Sequence, residues 1–313
     1  MMTQITLGVD ISKARLDVYR LPDGAYKQFD NTASGFKALR KWLSDLTVAH
    51  VVYEPTGIYH RAFERDMFEA GLPLFRVNPK QARRFAESLN TLCKTDKVDA
   101  AMLAQMGMAL TLRSYEPVGK VLDNMQELLR AHRALSKDKV AAKNRTELIS
   151  LPLLKRQNEA RLKHIDKQLK AIDTELARLL KQDKDLKDRY DILLSIPGIG
   201  PSAAFNLLIS LPELGSLDNK QAAAMAGVAP MTRQSGTWNG KAMIKGGRRE
   251  LRYHLYMPAL VATRFNPDLK AIYDRLVAKG KPPKLAIIAA MRKLVITANA
   301  CLRKMKPWQP VTA

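Results

Sequence analysis

Two apolar segments near the start of the chain each end in an acidic residue, and this pattern constrains the fold most. Residues 5–10 alternate as a half-buried strand does and end at Asp10. Residues 50–54 end in the same way at Glu54, just before the turn-forming Pro-Thr-Gly of 55–57. A carboxylate at the end of a buried strand is costly without a partner. The pattern therefore predicts two strand ends that hold a cation.

A third acidic segment supplies two more carboxylates. Thr95 or Asp96 is suited to cap a helix, and Asp96 and Asp99 lie three residues apart, so both point to one side of it. Asp10, Glu54, Asp96 and Asp99 can then converge on hard divalent cations, which take oxygen ligands. We predict Mg²⁺, with Mn²⁺ as an alternative. In a basic protein such a cluster suits two-metal phosphoryl transfer on nucleic acid.

The charge of the chain favours a polyanionic partner. The 313 residues include 52 Lys and Arg against 30 Asp and Glu, a net charge of +22. Residues 230–313 hold 17 of these cations and three acids, and so carry +14. Neutralising phosphates releases counterions and gives affinity without sequence preference. An ordinary basic surface is the alternative, and contact with nucleic acid is the favoured interpretation.

The cysteines and the apolar runs exclude several classes of protein. Cys93 and Cys301 lie far apart, so neither a zinc site nor a disulfide framework is predicted. The N-terminus lacks a basic segment followed by a long apolar run, and no run approaches about 18 apolar residues. We therefore expect no export signal and no membrane span. The expected location is the cytoplasm, with association to the nucleoid when the protein acts.

Residues 1–117 alternate between strand and helix patterns. Strands are predicted at 5–10, 15–21, 25–29, 50–54 and 73–77, with a hairpin turn at 22–24. Helices are predicted from Ser34, as the N-cap, to about 46, and over 59–70. Three meander strands followed by strand and helix units suit an α/β sheet of the ribonuclease-H type. Asp10 and Glu54 would then lie close together on neighbouring strands.

Residues 118–190 have a different composition. Glycine is absent from 121–190, and leucines and isoleucines recur at helical spacing between charged residues. This predicts two long helices broken near 150–152, packed as an antiparallel coiled-coil hairpin. The segment is interpreted either as a solvated spacer or as an arm for dimerisation or for clamping nucleic acid.

Residues 191–313 begin with a turn motif between two helical patterns. The run Ile-Pro-Gly-Ile-Gly at 196–200 is typical of a helix-hairpin-helix. Gly198 and Gly200 allow a tight turn whose amides, with the next helix N-terminus, can hold a backbone phosphate. A purely structural turn is the alternative. The final segment, 282–305, predicts one more amphipathic basic helix.

A second candidate site lies in the polar segment 232–241, which is predicted to be a loop. Ser235 beside a glycine could attack phosphorus, and nearby cations could bind the phosphate: Arg233, Lys241, Lys245, Arg248 and Arg252. On spacing alone, a serine such as Ser235 is more often a turn residue or a phosphate contact than a nucleophile. Tyr256 is a rival nucleophile, although its apolar neighbours favour a core-facing helix.

These motifs occur in an order that resembles a known family. Gly-Val-Asp-Ile-Ser at 8–12, Glu-Pro-Thr-Gly-Ile-Tyr at 54–59, Val-Asn-Pro at 77–79 and Lys-Thr-Asp-Lys-Val-Asp-Ala at 94–100 resemble the N-terminal motifs of DEDD-type transposases. These belong to the insertion-sequence one-hundred-and-ten family and are related to the Piv pilin-gene invertases. The segments 196–200, 227–230, 234–236, 246–248 and 251–257 resemble the family's C-terminal transposase domain.

The resemblance implies a RuvC-like domain whose Asp10, Glu54, Asp96 and Asp99 bind magnesium. It implies that Ser235 attacks DNA and becomes covalently linked to it. It also implies an oligomer, from dimer to tetramer, with active sites assembled between protomers. A structured guide RNA from the element's non-coding end is a further expected partner, beside donor and target DNA.

Two rivals to this recombinase remain open at the level of sequence. In a metal-dependent nuclease or junction resolvase, the carboxylates would hydrolyse DNA and Ser235 would only hold phosphate. A nucleic-acid scaffold without activity would keep the fold alone. The four acids argue against the scaffold, because clustered like charges are costly without a cation.

Overall fold

The computed structural model describes residues 4–90 and 95–310 and divides the chain into two units, Met1–Val118 and Gly119–Ala313. Cys93 and Lys94 lie outside the described residues. In the first unit the described strands are β1 (Gln4–Ile11), β2 (Arg15–Leu21), β3 (Tyr26–Asp30), β4 (Thr47–Tyr53) and β5 (Leu74–Arg76). The described helices are α1 (Ala33–Leu43), α2 (His60–Glu69), α3 (Pro79–Ser88) and α4 (Asp96–Ala109).

The five strands form one mixed sheet in the order β3-β2-β1-β4-β5. The strands β1, β2 and β3 form an antiparallel meander, while β1, β4 and β5 run parallel. A parallel neighbour requires a crossover connection, and α1 and α2 provide it. This arrangement confirms the expected α/β class and is compatible with a RuvC-like domain.

Two apolar layers cover the sheet. One face packs against α1 and α2 through side chains such as Phe36 and Phe63. The other face packs against α3 and α4 through side chains such as Val52 and Met106. Alternation along β1 sends Val9 to the first layer and leaves Gly8 and Asp10 facing α4.

Helix α4 approaches β1 more closely than side chains would allow. A Cβ added to Gly8 would lie 1.9 Å from the carbonyl oxygen of Ala100, and one added to Gly107 would lie 2.6 Å from Val52. Both contacts require glycine, one on the strand and one on the helix. Because Ala100 directly follows Asp99, the contact at Gly8 fixes the first turn of α4 beside the end of β1.

The sequence-based boundaries need small corrections. Thr32, not Ser34, caps α1, since its hydroxyl accepts from the Gly35 amide at 3.3 Å. Of the two residues that the sequence offered as the cap of α4, Thr95 takes this role and accepts from the Val98 amide at 3.3 Å. In both helices the capping threonine has extended backbone, which exposes its oxygen to the first free amides.

The second unit is mainly helical. Its described helices are α5 (Lys120–Thr146), α6 (Pro152–Lys181), α7 (Lys184–Leu194), α8 (Pro201–Ser210), α9 (Asn219–Met225), α10 (Arg249–Phe265), α11 (Pro267–Ala278) and α12 (Pro283–Lys304). Two described strands, β6 (Pro230–Ser235) and β7 (Trp238–Ile244), form an antiparallel hairpin.

Helices α5 and α6 run antiparallel along each other, as the leucine pattern predicts. Lys139 pairs with Asp166 at 2.5 Å, and Asn158 donates to the Ala142 carbonyl at 2.9 Å and to the Thr146 hydroxyl at 2.8 Å. Asn158 is buried, so these bonds fix the register of the two helices near their connection. A coiled-coil supercoil in this pair stays a prediction.

The helix expected at 282–305 is present as α12, and many of its apolar side chains are buried in the core. It is apolar and long enough to cross a membrane by composition alone, contrary to the expectation that no segment would be. Half of its most apolar stretch is buried inside the fold. Buried Asn299 accepts from the Gly215 amide and donates to the Leu217 carbonyl, both at 2.7 Å, which ties the helix to the segment before α9.

Replacing Gly8 by alanine should destabilise the first unit. The added methyl would overlap the α4 backbone, and overpacking of this kind costs roughly 1–3 kcal/mol, more where backbone must move. Urea unfolding of the full chain measures the change. Gly119→Ala is the control, because its Cβ would meet no atom within 4 Å; equal stability of the two variants would contradict the close-packing argument.

Candidate active site

The first unit places the four predicted acids around one end of the sheet. Val9 pairs with Tyr53, so Asp10 and Glu54 follow paired residues on neighbouring parallel strands. Asp96 and Asp99 occupy the first turn of α4, which the Gly8 contact holds against β1. Strand β1 continues one residue past Asp10, to Ile11.

A fifth acid, Asp17 on β2, joins this group and was missed in the sequence. It lies directly across from Asp10 and is only 3% exposed. Its carboxylate accepts hydrogen bonds from the Tyr26 hydroxyl and, at 2.8 Å, from the Gln28 amide. The sequence contains one feature that could have identified Asp17: it is an acidic residue between apolar residues of a predicted strand, Leu-Asp-Val at 16–18.

The charges of all these acids affect the pKa of Asp10. Burial, and after it the charges of Asp96, Asp99, Asp17 and Glu54, raises the pKa of Asp10 from 3.8 to about 6. A carboxyl group surrounded by like charges holds its proton more tightly, because ionisation adds to the repulsion. The acids therefore share one electrostatic neighbourhood.

The donor set suits a divalent cation, although the carboxylates do not enclose one. Across residues 4–90 and 95–310, no three His, Cys, Asp or Glu side chains form a closed metal-binding group. These acids nonetheless supply oxygen donors of hard character, and burial followed by the neighbouring negative charges raises the pKa of Asp10, a cost that a cation would offset. Asp10, Glu54, Asp96 and Asp99 therefore fit Mg²⁺ by chemistry.

A buried polar network supports the strand end that carries Glu54. Tyr53 is fully buried, and its hydroxyl donates to Glu64 at 2.6 Å. Arg76 contacts the same carboxylate at 3.1 Å and donates to the Tyr115 hydroxyl at 3.0 Å. Burial, together with the Glu64 charge, raises the pKa of Tyr53, so its hydroxyl keeps its proton. The network fixes β4 against α2 and β5 immediately before Glu54.

The second predicted site is a β-hairpin, not the loop expected at 232–241. Ser235 ends β6, pairs with Trp238 and is exposed beside the two-residue turn of Gly236 and Thr237. Gly236 has a φ of +56°, which favours glycine at this position. The strands lack the alternation of apolar and polar residues that marks a half-buried strand, which explains why the sequence suggested a loop.

The predicted phosphate-binding arginines hold the base of this hairpin. Arg252 donates to the carbonyls of Gly227, before β6, at 3.1 Å and Gly246, after β7, at 3.0 Å. Arg248 forms two hydrogen bonds with Glu213, at 2.6 and 2.8 Å, and donates to the Ser210 carbonyl at 2.6 Å. These bonds give both side chains a structural role, whatever they contribute to phosphate binding.

The remaining predicted cations lie on or beside the hairpin. Lys245 follows β7 and is exposed. Arg233 and Lys241 lie on β6 and β7, and their side chains are outside the described set. A phosphate role for these three residues stays a prediction.

Gly198 and Gly200 lie in the turn between α7 and α8, as expected, but in different environments. A Cβ on Gly198 would lie 2.5 Å from that of Ala262 on α10, whereas one on Gly200 would meet no atom within 4 Å. Gly198 is therefore required for packing, and Gly200 is the position at which phosphate binding can be tested without that complication.

Tyr256 is more accessible than its apolar neighbours suggested. Leu255 is buried, but Tyr256 is 36% exposed and Met257 59% exposed on α10. The expectation of a wholly core-facing helix was wrong for this surface. Both side chains line a groove of about 870 Å³ between α8, α10 and α12, so Tyr256 remains sterically available.

The raised pKa of Asp10 predicts a pH dependence of stability in the presence of a chelator. The folded pKa exceeds the ordinary one, so its contribution is complete below about pH 4 and is lost as the pH rises through about 6. Asp10→Asn should remove this part of the decline. Thermal unfolding at pH 5 and pH 7.5 in EDTA, compared between wild type and Asp10→Asn, measures it. A decline of the same size in both proteins would contradict the assignment.

Comparison with known proteins finds two matching family profiles and several relatives. The family profile described as Transposase IS116/IS110/IS902 matches residues 190–274, and a second transposase profile, of the DEDD type of IS110, matches residues 7–149. The pilin gene-inverting protein of Moraxella bovis is 28% identical over 98% of both chains. The 42 kDa protein of insertion element IS900 from Mycobacterium paratuberculosis is 31% identical over 47% of this chain and 38% of its own. The chain belongs to the IS110 family of transposases and is a DNA-recombining enzyme.

Proposed function

We propose that this transposase cuts and rejoins DNA through a covalent bond between Ser235 and a DNA phosphate. Supporting this, the Ser235 hydroxyl lies at the exposed tip of a hairpin whose base is fixed by Arg252. A nucleophile at a protruding tip can reach a phosphate in a duplex that is too wide to enter a pocket. This placement is the observation that carries the proposal.

The proposed reaction exchanges one ester for another. The Ser235 oxygen forms a bond to phosphorus, and the bond between phosphorus and a deoxyribose oxygen breaks. The serine proton is released, and the departing deoxyribose oxygen takes one up. Because the phosphoserine ester keeps the energy of the original linkage, a deoxyribose hydroxyl of another strand can displace serine without ATP.

Asp10, Glu54, Asp96 and Asp99 are proposed to hold Mg²⁺, or Mn²⁺, at the site in the first unit. When bound, the cation would supply Lewis-acid stabilisation of charge on the phosphate oxygens. Asp17 lies behind Asp10 with its carboxylate held by Tyr26 and Gln28, and it adds negative charge without facing solvent. Its proposed part is to strengthen the attraction for the cation.

DNA is the expected macromolecular partner, and the net charge of +22 supports it. The pilin gene-inverting relatives are named for inverting a gene segment, so site-specific inversion is a proposed outcome beside transposition. We also propose an assembly of two to four protomers, with active sites assembled between protomers, and a guide RNA as a further partner.

A metal-dependent nuclease or resolvase is the second candidate. It is favoured by one observation: the acidic neighbourhood lies wholly within the first unit and needs no serine. In that case Ser235 would contact phosphate only. The nature of the products separates the two candidates.

Replacing Ser235 by alanine should abolish DNA joining and a protein–DNA adduct. The change removes one oxygen from an exposed turn, so stability should change by about 0.5 kcal/mol or less. Denaturing gels of reactions on a nicked suicide substrate detect the adduct, and mass spectrometry locates it.

Thr237→Ala is the matched control for this experiment, because it removes an exposed hydroxyl from the same turn and should keep the adduct. Free DNA ends without adduct, formed equally by wild type and Ser235→Ala, would establish the nuclease instead. An adduct on Tyr256 would keep the recombinase but reassign its nucleophile.

Asp10→Asn should reduce recombination by at least 100-fold while DNA binding is retained. It removes one proposed metal ligand and one negative charge, so the fold should keep its stability or gain some in the presence of a chelator. Joining assays across a Mg²⁺ and Mn²⁺ titration measure the loss. Asp45→Asn, at an exposed position outside the acidic group, is the control. Wild-type rates for Asp10→Asn would contradict the metal assignment.

A further inference from the structure

An exposed tryptophan lies beside Ser235 at the tip of the hairpin. Trp238 pairs with Ser235 across the two-residue turn, and directly opposed residues of an antiparallel pair point to the same face. Such residues have Cβ atoms about 5 Å apart. Trp238 is 57% exposed, although tryptophan is among the largest apolar side chains.

The indole of Trp238 packs over Gly240. A Cβ added to Gly240 would lie 2.4, 2.8 and 2.9 Å from three carbon atoms of the six-membered ring of Trp238. The ring therefore covers the α-carbon of Gly240, two residues along β7, and any larger residue there would displace it. A ring that packs over the strand in this way and stays largely exposed offers a flat surface to a partner.

The charge around the hairpin identifies the kind of partner that this surface fits. Residues 230–247, which span the hairpin and the turn after it, contain three Lys or Arg and no Asp or Glu. A second copy of this basic surface would be repelled, whereas nucleic acid would be attracted. Aromatic rings in cationic surroundings bind unpaired bases by stacking, since every base has a flat apolar face. Bases inside a duplex are already stacked and do not offer that face.

We propose that Trp238 stacks on an unpaired DNA base next to the phosphate that Ser235 attacks. Stacking would hold the sugar-phosphate backbone at a fixed distance from the Ser235 hydroxyl and would favour DNA that is locally unpaired. This inference rests on the proposed role of Ser235. It adds a substrate preference: strand opening precedes cleavage.

The test measures binding without chemistry, in the Ser235→Ala background. The probes are a DNA duplex with a short internal stretch of unpaired thymidines and a fully paired duplex of the same length. Trp238→Ala should weaken binding of the first probe about tenfold, the typical loss of one stacked base, and leave the second nearly unchanged. Trp238→Phe should restore most of the affinity.

Two further variants separate stacking from a structural role. Gly240→Ala keeps the tryptophan but displaces its ring, so it should behave like Trp238→Ala. Met243→Ala removes a side chain on the same strand that is 71% exposed and should have no effect. Tryptophan fluorescence should be quenched by the unpaired probe, and Trp238→Phe should lose that part of the quenching.

Equal losses on paired and unpaired DNA would overturn the proposal, as would no loss on either. A change in oligomer mass without a change in DNA binding would also overturn it and would assign Trp238 to contact with another copy of the chain. Failure of the proposed serine chemistry can be distinguished from failure of the proposed stacking. Selective quenching without any adduct from wild type would leave the stacking and remove the nucleophile, whereas an adduct without selective quenching would do the reverse.

Discussion

The contact between Gly8 and Ala100 is the constraint on which the acidic site depends. It brings the backbone of α4 against β1, so two carboxylates from a helix reach two from strand ends. The five carboxylates come from four separate places in the chain, β1, β2, the residue after β4 and the first turn of α4, so no single element could bring them together. Backbone contact is well suited to this task, because it has no rotamers that would let the distance vary.

The packing that brings these acids together must also offset the repulsion between their charges. Burial and four neighbouring acids disfavour the ionised form of Asp10, and the surrounding core must offset this cost. Apolar layers on both faces of the sheet contribute to this stability. The network of Tyr53, Glu64 and Arg76 also contributes, at the end of the strand that leads to Glu54. Sites that concentrate like charge are commonly functional, since stability alone would not select them.

The sequence predicted the first unit better than the second. Asp10, Glu54 and the start of α4 follow from strand ends and a capping threonine, which are local signals. Asp17 was missed because its role arises from pairing with Asp10 across the sheet, which no local pattern encodes. The hairpin was missed because both of its faces are largely exposed. The internal hydrogen bonds of Arg248 to Glu213 and of Arg252 to Gly227 were missed because these partners lie far away in the sequence, and the phosphate-binding roles of the two arginines stay predictions. The proposed catalytic roles of Ser235 and the acids depend on the DNA and the cation that they would bind, which are not part of the chain.

The hairpin is long and is held at its base, so a small rotation at the base moves its tip by several ångströms. Six residues of β6 at about 3.3 Å each separate its tip from its base by roughly 20 Å. A rotation of about 10° at the Arg252 clamp would therefore shift Ser235 by roughly 3 Å, a distance over which in-line attack on phosphorus is gained or lost. The fold alone does not determine the position of the nucleophile so closely. Under the proposed mechanism, alignment of the Ser235 hydroxyl then has to come from the bound DNA, so the hydroxyl would be placed for attack only once substrate is bound.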